Sequence, residues 1–201
     1  MKPEGRFALL TNGSDFSQRV VETLVSSQCL PSLIALPEYP PAHTQSNHSF
    51  NIQSLPAQPV IVSLLPGIPV VYAPKSNSRA LIASLGQFSI DFILVACWPY
   101  LIDSSIYLRA RKASLNLHPS MLPGYRGADP LTRQLADQAP NFGVTLHLLN
   151  DRFDRGEIVA QASIEVDESE LGLAYLQQQC ALVGVGLFID ALDKFTGRDK
   201  S

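Results

Sequence analysis

Apolar and polar positions in this chain repeat with two periods, and their alternation outlines the elements. Continuous apolar runs at 7–10, 33–36 and 91–96 have the composition of strands buried on both faces, as in a parallel sheet. The first runs into a Thr11-Asn12-Gly13-Ser14 turn. After it Val20, Val21, Leu24 and Val25 recur at helical spacing, with Ser14 or Asp15 as the cap. Further along, 69–72 predicts a short or edge strand, 77–88 a helix, 104–111 a short helix and 113–118 a strand. A loop rich in Pro and Gly follows, then a helix over 130–137 that opens on Pro130, where the missing N–H costs nothing. Residues 144–149 and 158–166 predict two more strands. A long helix over 171–195 is expected to open at Asp167 with Glu170 in a capping box and to stop near Gly197. Gly184 and Gly186 would each cost about 1 kcal/mol in an exposed helix, so close packing is expected at both. The β-α alternation predicts an α/β open sheet, mostly parallel.

Composition narrows the class. With 46% apolar and 16% charged residues the chain is not intrinsically disordered, and its 201 residues fit one domain spanning 1–201. Fifteen basic against 18 acidic residues leave a net charge of -3, with no Lys/Arg-rich run, so no nucleic-acid partner is expected. The segment 1–7 lacks the apolar core of a signal peptide, and no apolar stretch approaches the ~20 residues of a spanning helix. A cytoplasmic location without membrane contact is the expectation. Cys29, Cys97 and Cys180 are odd in number and set in apolar surroundings, which suits buried thiols better than disulfides or a zinc site. No metal-ligand spacing is present, and no metal is expected. Nine of the fifteen prolines fall between Pro31 and Pro74, and 37–58 is read as an irregular Pro/Ser-rich loop, either functional or a tolerated insertion. No Gly-x-Gly-x-x-Gly follows the first strand, so a dinucleotide oxidoreductase is the weakest enzyme reading.

The chemistry concentrates near residue 116. Asn116 and His118 stand two apart on a predicted strand and share one face at its C-terminal end, the edge where open α/β sheets bind ligands. Downstream, the polar loop Asn150-Asp-Arg-Phe-Asp-Arg-Gly156 carries Asp151 and Asp154. A His, an amide and a carboxylate converging on one crevice suit acyl transfer: the imidazole handles protons, the amide donates to an oxyanion, and the carboxylate orients the imidazole. A satisfied structural histidine is the other reading of His118.

Three segments carry a resemblance: Asn116-Leu-His-Pro-Ser-Met-Leu-Pro-Gly-Tyr-Arg-Gly-Ala-Asp-Pro130, Gly143-Val-Thr-Leu-His147, and Phe153-Asp-Arg-Gly-Glu-Ile-Val-Ala-Gln161. Together they resemble the formyltransferase family, most closely over 91–165. The resemblance implies a Rossmann-like open twisted sheet with helices on both faces. It also implies a formyl donor, 10-formyltetrahydrofolate, and an amine acceptor. By the same resemblance Asn116, His118 and Asp154 are the catalytic residues, with a protonated His118 and Asn116 on the tetrahedral oxyanion and Asp154 holding His118 charged. The pterin is placed against Cys97, Trp98, Tyr100, Leu101 and Ile102 and the loop bearing Asn150, Asp151 and Phe153. The acceptor falls to Asn12, Gly13 and Ser14 and to Arg126, on a 120–127 loop expected to close over the reacting centre. Some features depart from the family pattern. Arg155 stands where a small residue is usual, Asp15 puts a carboxylate beside the phosphate-type turn, and no tRNA-gripping C-terminal domain is expected. A small amine, such as an amino sugar nucleotide, is therefore the expected acceptor. Hydrolysis of formyltetrahydrofolate and a non-catalytic folate-binding domain remain alternatives, while His147 reads as structural and the 40–54 segment is expected on the acceptor side.

Overall fold

The computed structural model describes residues 5–38, 57–73, 79–167 and 169–197. Its strands are β1 (Phe7–Thr11), β2 (Leu33–Pro37), β3 (Val70–Ala73), β4 (Phe92–Ala96), β5 (Ala113–His118), β6 (Phe142–Leu148) and β7 (Ile158–Ile164). The helices are α1 (Asp15–Ser26), α2 (Ala57–Leu64), α3 (Arg79–Gln87), α4 (Ser104–Tyr107), α5 (Pro130–Ala136) and α6 (Leu173–Thr196). The strands form one sheet in the order β3-β2-β1-β4-β5-β6-β7. Pairings from β3 through β5 are parallel, and those of β5 with β6 and β6 with β7 are antiparallel. This is the α/β open sheet, mostly parallel, that the apolar runs predict. The chain winds outward from β1 through β2 to β3, then returns to place β4 on the other side of β1. That reversal leaves a crevice at the C-terminal ends of β1 and β4.

Two cores flank the sheet. Leu9, Ile34, Leu94, Leu115 and Leu117 face one of them, covered by Val20 and Leu24 of α1, Ile61 of α2, Leu131 of α5 and Phe188 of α6. Leu10, Ala35, Ile93 and Val95 face the other, covered by Leu81 and Leu85 of α3 and Ile106 of α4. The period-2 geometry of buried strands produces this split, since each strand must supply apolar side chains to both faces.

Several local expectations change. Helix α2 falls in the Pro-rich stretch read as irregular: Pro59 sits in its first turn, where no amide hydrogen is required, so proline does not break it. Of the stretch read as a 37–58 loop, Pro37 ends β2 and Ala57 begins α2, and 39–56, with the 40–54 segment in it, lies outside the described residues. Helix α4 stops at Tyr107, not at 111, capped at its start by Asp103, whose carboxylate accepts from the Ser105 N–H at 2.8 Å. Asp167 and Glu170 do not open the last helix, which starts at Leu173 with Gly172 as its cap; Asp167 instead accepts from the N–H and hydroxyl of Ser169. At the first helix Ser14 is the cap, yet Asn12 Oδ1 is the acceptor, taking both the Ser14 N–H (2.9 Å) and the Ser17 hydroxyl (3.1 Å).

The two helical glycines separate. A Cβ on Gly184 would lie 2.6 Å from Leu117 Cδ1, so α6 touches β5 there, whereas nothing lies within 4 Å of a Cβ on the exposed Gly186. We expect Gly184→Val to destabilise the fold by about 1–3 kcal/mol through overpacking against a buried strand. Gly186→Ala should stabilise it by about 0.5–1 kcal/mol. Chemical denaturation of both variants checks this, and equal effects would show that Leu117 does not press on the helix.

Candidate active site

Helical cover on the second face runs out at α4. Beyond it the alternation of β5 and β6 gives Leu115, Leu117, Val144 and Leu146 to the first core and turns Asn116, His118, Thr145 and His147 the other way. Two loops take the place of a helix over these polar side chains: 119–129, leading to α5, and 149–157, joining β6 to β7. The first is fastened along its length. Thr145 Oγ1 donates to Ser120 O (2.7 Å) and accepts from Leu122 N–H (3.1 Å) and Gln161 Nε2 (2.7 Å). The Ser120 hydroxyl donates to Gly124 O, and Gln134 Nε2 donates to Pro119 O. The loop lies over the centre as a fixed wall.

Asp154 is the node of the site. Its Oδ1 accepts from Asn116 Nδ2 at 3.2 Å and lies 3.5 Å from His118 Nδ1 and 3.6 Å from His147 Nε2. Its Oδ2 accepts from Gly127 N–H at 2.7 Å, and its carbonyl accepts from Arg126 Nε at 2.8 Å. Loop 149–157 is thereby latched to loop 119–129 through backbone as well as side chain. Asp154 itself adopts φ 51, in the left-handed region, which aims its carboxylate back over the sheet. Gly156 permits the return. A Cβ there would collide with the Leu148 carbonyl and come within 3.2 Å of His147 Nδ1.

Hydrogen placement follows from acceptors that cannot donate. His118 Nε2 lies 2.9 Å from the Tyr125 carbonyl, so Nε2 carries the hydrogen and Nδ1 of the neutral ring faces Asp154 bare. His147 Nδ1 lies 2.8 Å from Leu148 O, so Nδ1 carries its hydrogen and the bare Nε2 accepts from Asn116 Nδ2 at 3.0 Å. Both amide hydrogens of Asn116 are then engaged, one by His147 and one by Asp154.

Charge follows burial. His118 is 5% and Asp154 9% exposed. Burial pulls His118 below its ordinary value, and the opposing effects of Asp154 and the Tyr125 carbonyl do not restore it; His147 and Arg133 push it further down. Burial therefore works against the charged His118 that the resemblance implies, while Asp154 works for it. Burial alone would raise Asp154, yet the contacts with His147 and with His118 in its protonated form, together with the Gly127 N–H, outweigh that and hold its carboxyl below the usual carboxylate range.

Asn116, His118 and Asp154 thus meet in one cluster. His147, read from sequence as structural, joins them: it pairs opposite Asn116 across the β5–β6 ladder. Its spacing from Thr145 placed both on one face, but the sequence does not announce the antiparallel register that sets it beside Asn116. Arg155 leaves the site clear. Its side chain is exposed, and its carbonyl accepts from Asn150 Nδ2 at 2.9 Å, which helps close the loop.

The flanking residues fall in two groups. Cys97 is half-buried at the end of β4, and burial pushes its thiol up to about 11. The buried Cys29 and Cys180 are pushed up to about 12, which leaves all three as unreactive thiols. Trp98 and Tyr100 are half-buried with ring centroids 6.2 Å apart, edge to face, and Ile102 is buried while Leu101 is exposed. Trp98 and Leu149 pack on the same core cluster as Ile102, so this segment and the start of the 149–157 loop adjoin. In that loop Asn150 is half-buried and Asp151 exposed, and Phe153 is 54% exposed. At the end of β1, Asn12, Gly13 and Ser14 form a turn bonded to itself, with Gln18 Nε2 on the Gly13 carbonyl. Among the described residues no group of His, Cys, Asp and Glu is arranged to hold a metal ion, and no helix is long and apolar enough to cross a membrane.

This arrangement has relatives. A family model described as formyl transferase matches residues 17–192. Methionyl-tRNA formyltransferase of Staphylococcus aureus (strain JH1) is 23% identical over 178 residues, covering 89% of this chain and 55% of that protein. The chain thus spans about half the length of the curated relatives it matches. Among solved structures, phosphoribosylglycinamide formyltransferase from Bacillus halodurans superposes with a TM-score of 0.67 at 21% identity, covering 96% of each chain. HypX from Aquifex aeolicus shares the fold at a TM-score of 0.61 and 16% identity, over 98% of this chain and 28% of that one. With the family model matched over most of its length and this fold beneath it, the chain belongs to the formyl transferase family.

Proposed function

We propose that the chain transfers a formyl group from 10-formyltetrahydrofolate to the amine of a small substrate. One observation carries the reading: Asn116, His118 and Asp154 converge within 3.5 Å in a pocket of loops. The donor suits the segment beside it. Trp98, Tyr100 and the exposed Leu101 and Phe153 offer apolar surface to a flat heteroaromatic ring, and Cys97, Ile102, Asn150 and Asp151 complete that border. Asn12, Gly13, Ser14 and Arg126 border the acceptor. The acceptor nitrogen forms a bond to the formyl carbon, and the bond from that carbon to the donor nitrogen then breaks. The proton shed by the acceptor amine ends on the donor nitrogen.

The resting hydrogen bonds suggest how the residues divide this work. His118 takes the proton at its bare Nδ1, and the new N–H turns to Asp154 Oδ1, 3.5 Å away. That replaces the Asn116 hydrogen on the same oxygen and frees Asn116 Nδ2 for the oxyanion as its charge develops. His147 holds the other Asn116 hydrogen and keeps the amide in register. Asp154 retains its charge throughout, because Gly127 N–H stays on Oδ2.

A net charge of -3 favours a small acceptor over tRNA, which needs clustered cations for its phosphates. An amino sugar nucleotide is the class we propose. The test is tetrahydrofolate release by the purified chain with 10-formyltetrahydrofolate and, in turn, amino sugar nucleotides, glycinamide ribonucleotide, methionyl-tRNA or water alone. Release that depends on the sugar nucleotide supports the reading. Equal release in water alone would make it a hydrolase, and formylation of methionyl-tRNA would overturn the small acceptor. Folate binding without release in any arm would leave a binding domain.

A further inference from the structure

Arg133 lies on α5, outside the catalytic cluster, with an exposed side chain. Even so, its guanidinium is committed to backbone. Nη2 donates to the carbonyls of Tyr125 (2.9 Å) and Arg126 (2.6 Å), and Nε donates to that of Ala128 (3.1 Å). Its Cζ also stands 5.9 Å from the centroid of the Tyr125 ring. Three carbonyls within four residues converge on this one cation. The turn they belong to is otherwise unfavourable. Tyr125 and Asp129 take left-handed φ values of 54 and 50, and Asp129 caps α5 without a side-chain hydrogen bond. A planar fork with fixed donors suits the task of pinning such a turn; a single ammonium cannot span the same carbonyls with one geometry.

One of those carbonyls reaches the chemistry. Tyr125 O receives hydrogen bonds from Arg133 Nη2 and from His118 Nε2, both at 2.9 Å. We propose that Arg133 is a positioning residue for His118: by fixing the Tyr125 carbonyl it keeps the hydrogen on Nε2 and leaves Nδ1 bare toward Asp154. This rests on the formyl-transfer reading only for its catalytic consequence. The other groups facing the ring are Asp154 and His147, and neither selects this tautomer. Asp154 Oδ1 would accept a hydrogen from Nδ1 and so favours the opposite one, and His147 meets Asp154 and Asn116. Without a fixed acceptor on Nε2, the hydrogen moves to Nδ1 and onto Asp154. The neutral ring then no longer offers the proton-accepting nitrogen at that position.

The test is the ring's own signature in the full chain with ¹⁵N-labelled histidine at alkaline pH, where the imidazole is neutral, with His118→Gln to assign its resonances. The chain as it stands should show His118 protonated at Nε2. In Arg133→Met the two ring nitrogens should shift toward the Nδ1–H form, and kcat should fall about tenfold with KM changed less than twofold. Arg133→Lys, which keeps the charge, should fall between the two. An unchanged tautomer in Arg133→Met would overturn the proposal; should that variant not fold, an unchanged tautomer in Arg133→Lys would do so. Because the resonances report the ring whether or not formyl is transferred, a shifted tautomer in a chain without transferase activity would reject the formyl-transfer reading and leave the Arg133 assignment standing.

Discussion

Asp154→Asn is expected to lower formyl transfer by ~10³-fold, within the range of a lost acid–base partner. The carboxylate accepts on both oxygens at once. Oδ1 faces Asn116 Nδ2, His118 Nδ1 and His147 Nε2, and Oδ2 takes the Gly127 N–H. An asparagine keeps one acceptor oxygen and presents an NH₂ on the other side. If the NH₂ faces Gly127, it meets a donor, and the side-chain half of the latch is lost, leaving only Arg126 Nε on the Asp154 carbonyl. If it faces the cluster, Asn116 loses its acceptor, and an imidazolium on His118 has no anion to meet. Neither orientation restores the site. The carboxyl's depressed value supplies a stability check. A group whose folded value is lowered adds stability that is present above its unfolded value and lost as pH falls through the folded one. Denaturation midpoints of the original chain should thus drop on acidification more steeply than those of Asp154→Asn. Turnover within tenfold of the original would remove Asp154 from the chemistry.

Legibility in the sequence tracked how local each determinant was. Strands β1, β2 and β4 are continuous apolar runs because both faces of a parallel sheet are buried, and that pattern needs no partner to be read. Asn116 and His118 were likewise visible from the strand period. Helix α2 was not, because its one proline, Pro59, looks like a breaker until its place in the first turn is known. The charge on His118 is not legible in the sequence for a different reason. Sequence places a carboxylate near the imidazole, but the balance between that attraction and burial depends on how deeply two loops cover the ring. His147 depended on strand register, and Arg133 on a turn whose carbonyls converge only once residues 125–129 are folded. Contacts of that kind carry no sequence period, so composition and spacing cannot expose them.

His118→Ala is expected to cost ~10²–10⁴-fold in kcat/KM, and the pH dependence of the original chain says which form of the ring works. Burial lowers the value of His118, so its folded form binds fewer protons than the unfolded chain. By linkage, stability rises with pH across that interval, and the penalty for charging the buried ring appears as pH falls below the ordinary imidazole value. Activity should follow the same sign. A neutral ring that accepts the amine's proton gives a kcat/KM that climbs on an acid limb below the ordinary imidazole range and is flat through neutrality. A ring required in its charged form gives the reverse, with activity falling as pH rises through that limb. Asp154 and His118 share a proton field, so the limb reports the pair and not one residue. His118→Ala should abolish the limb along with most of the rate, while circular dichroism stays unchanged. A falling profile would return the reaction to a charged imidazole, and rate retained to within tenfold in His118→Ala would exclude His118 as the base altogether.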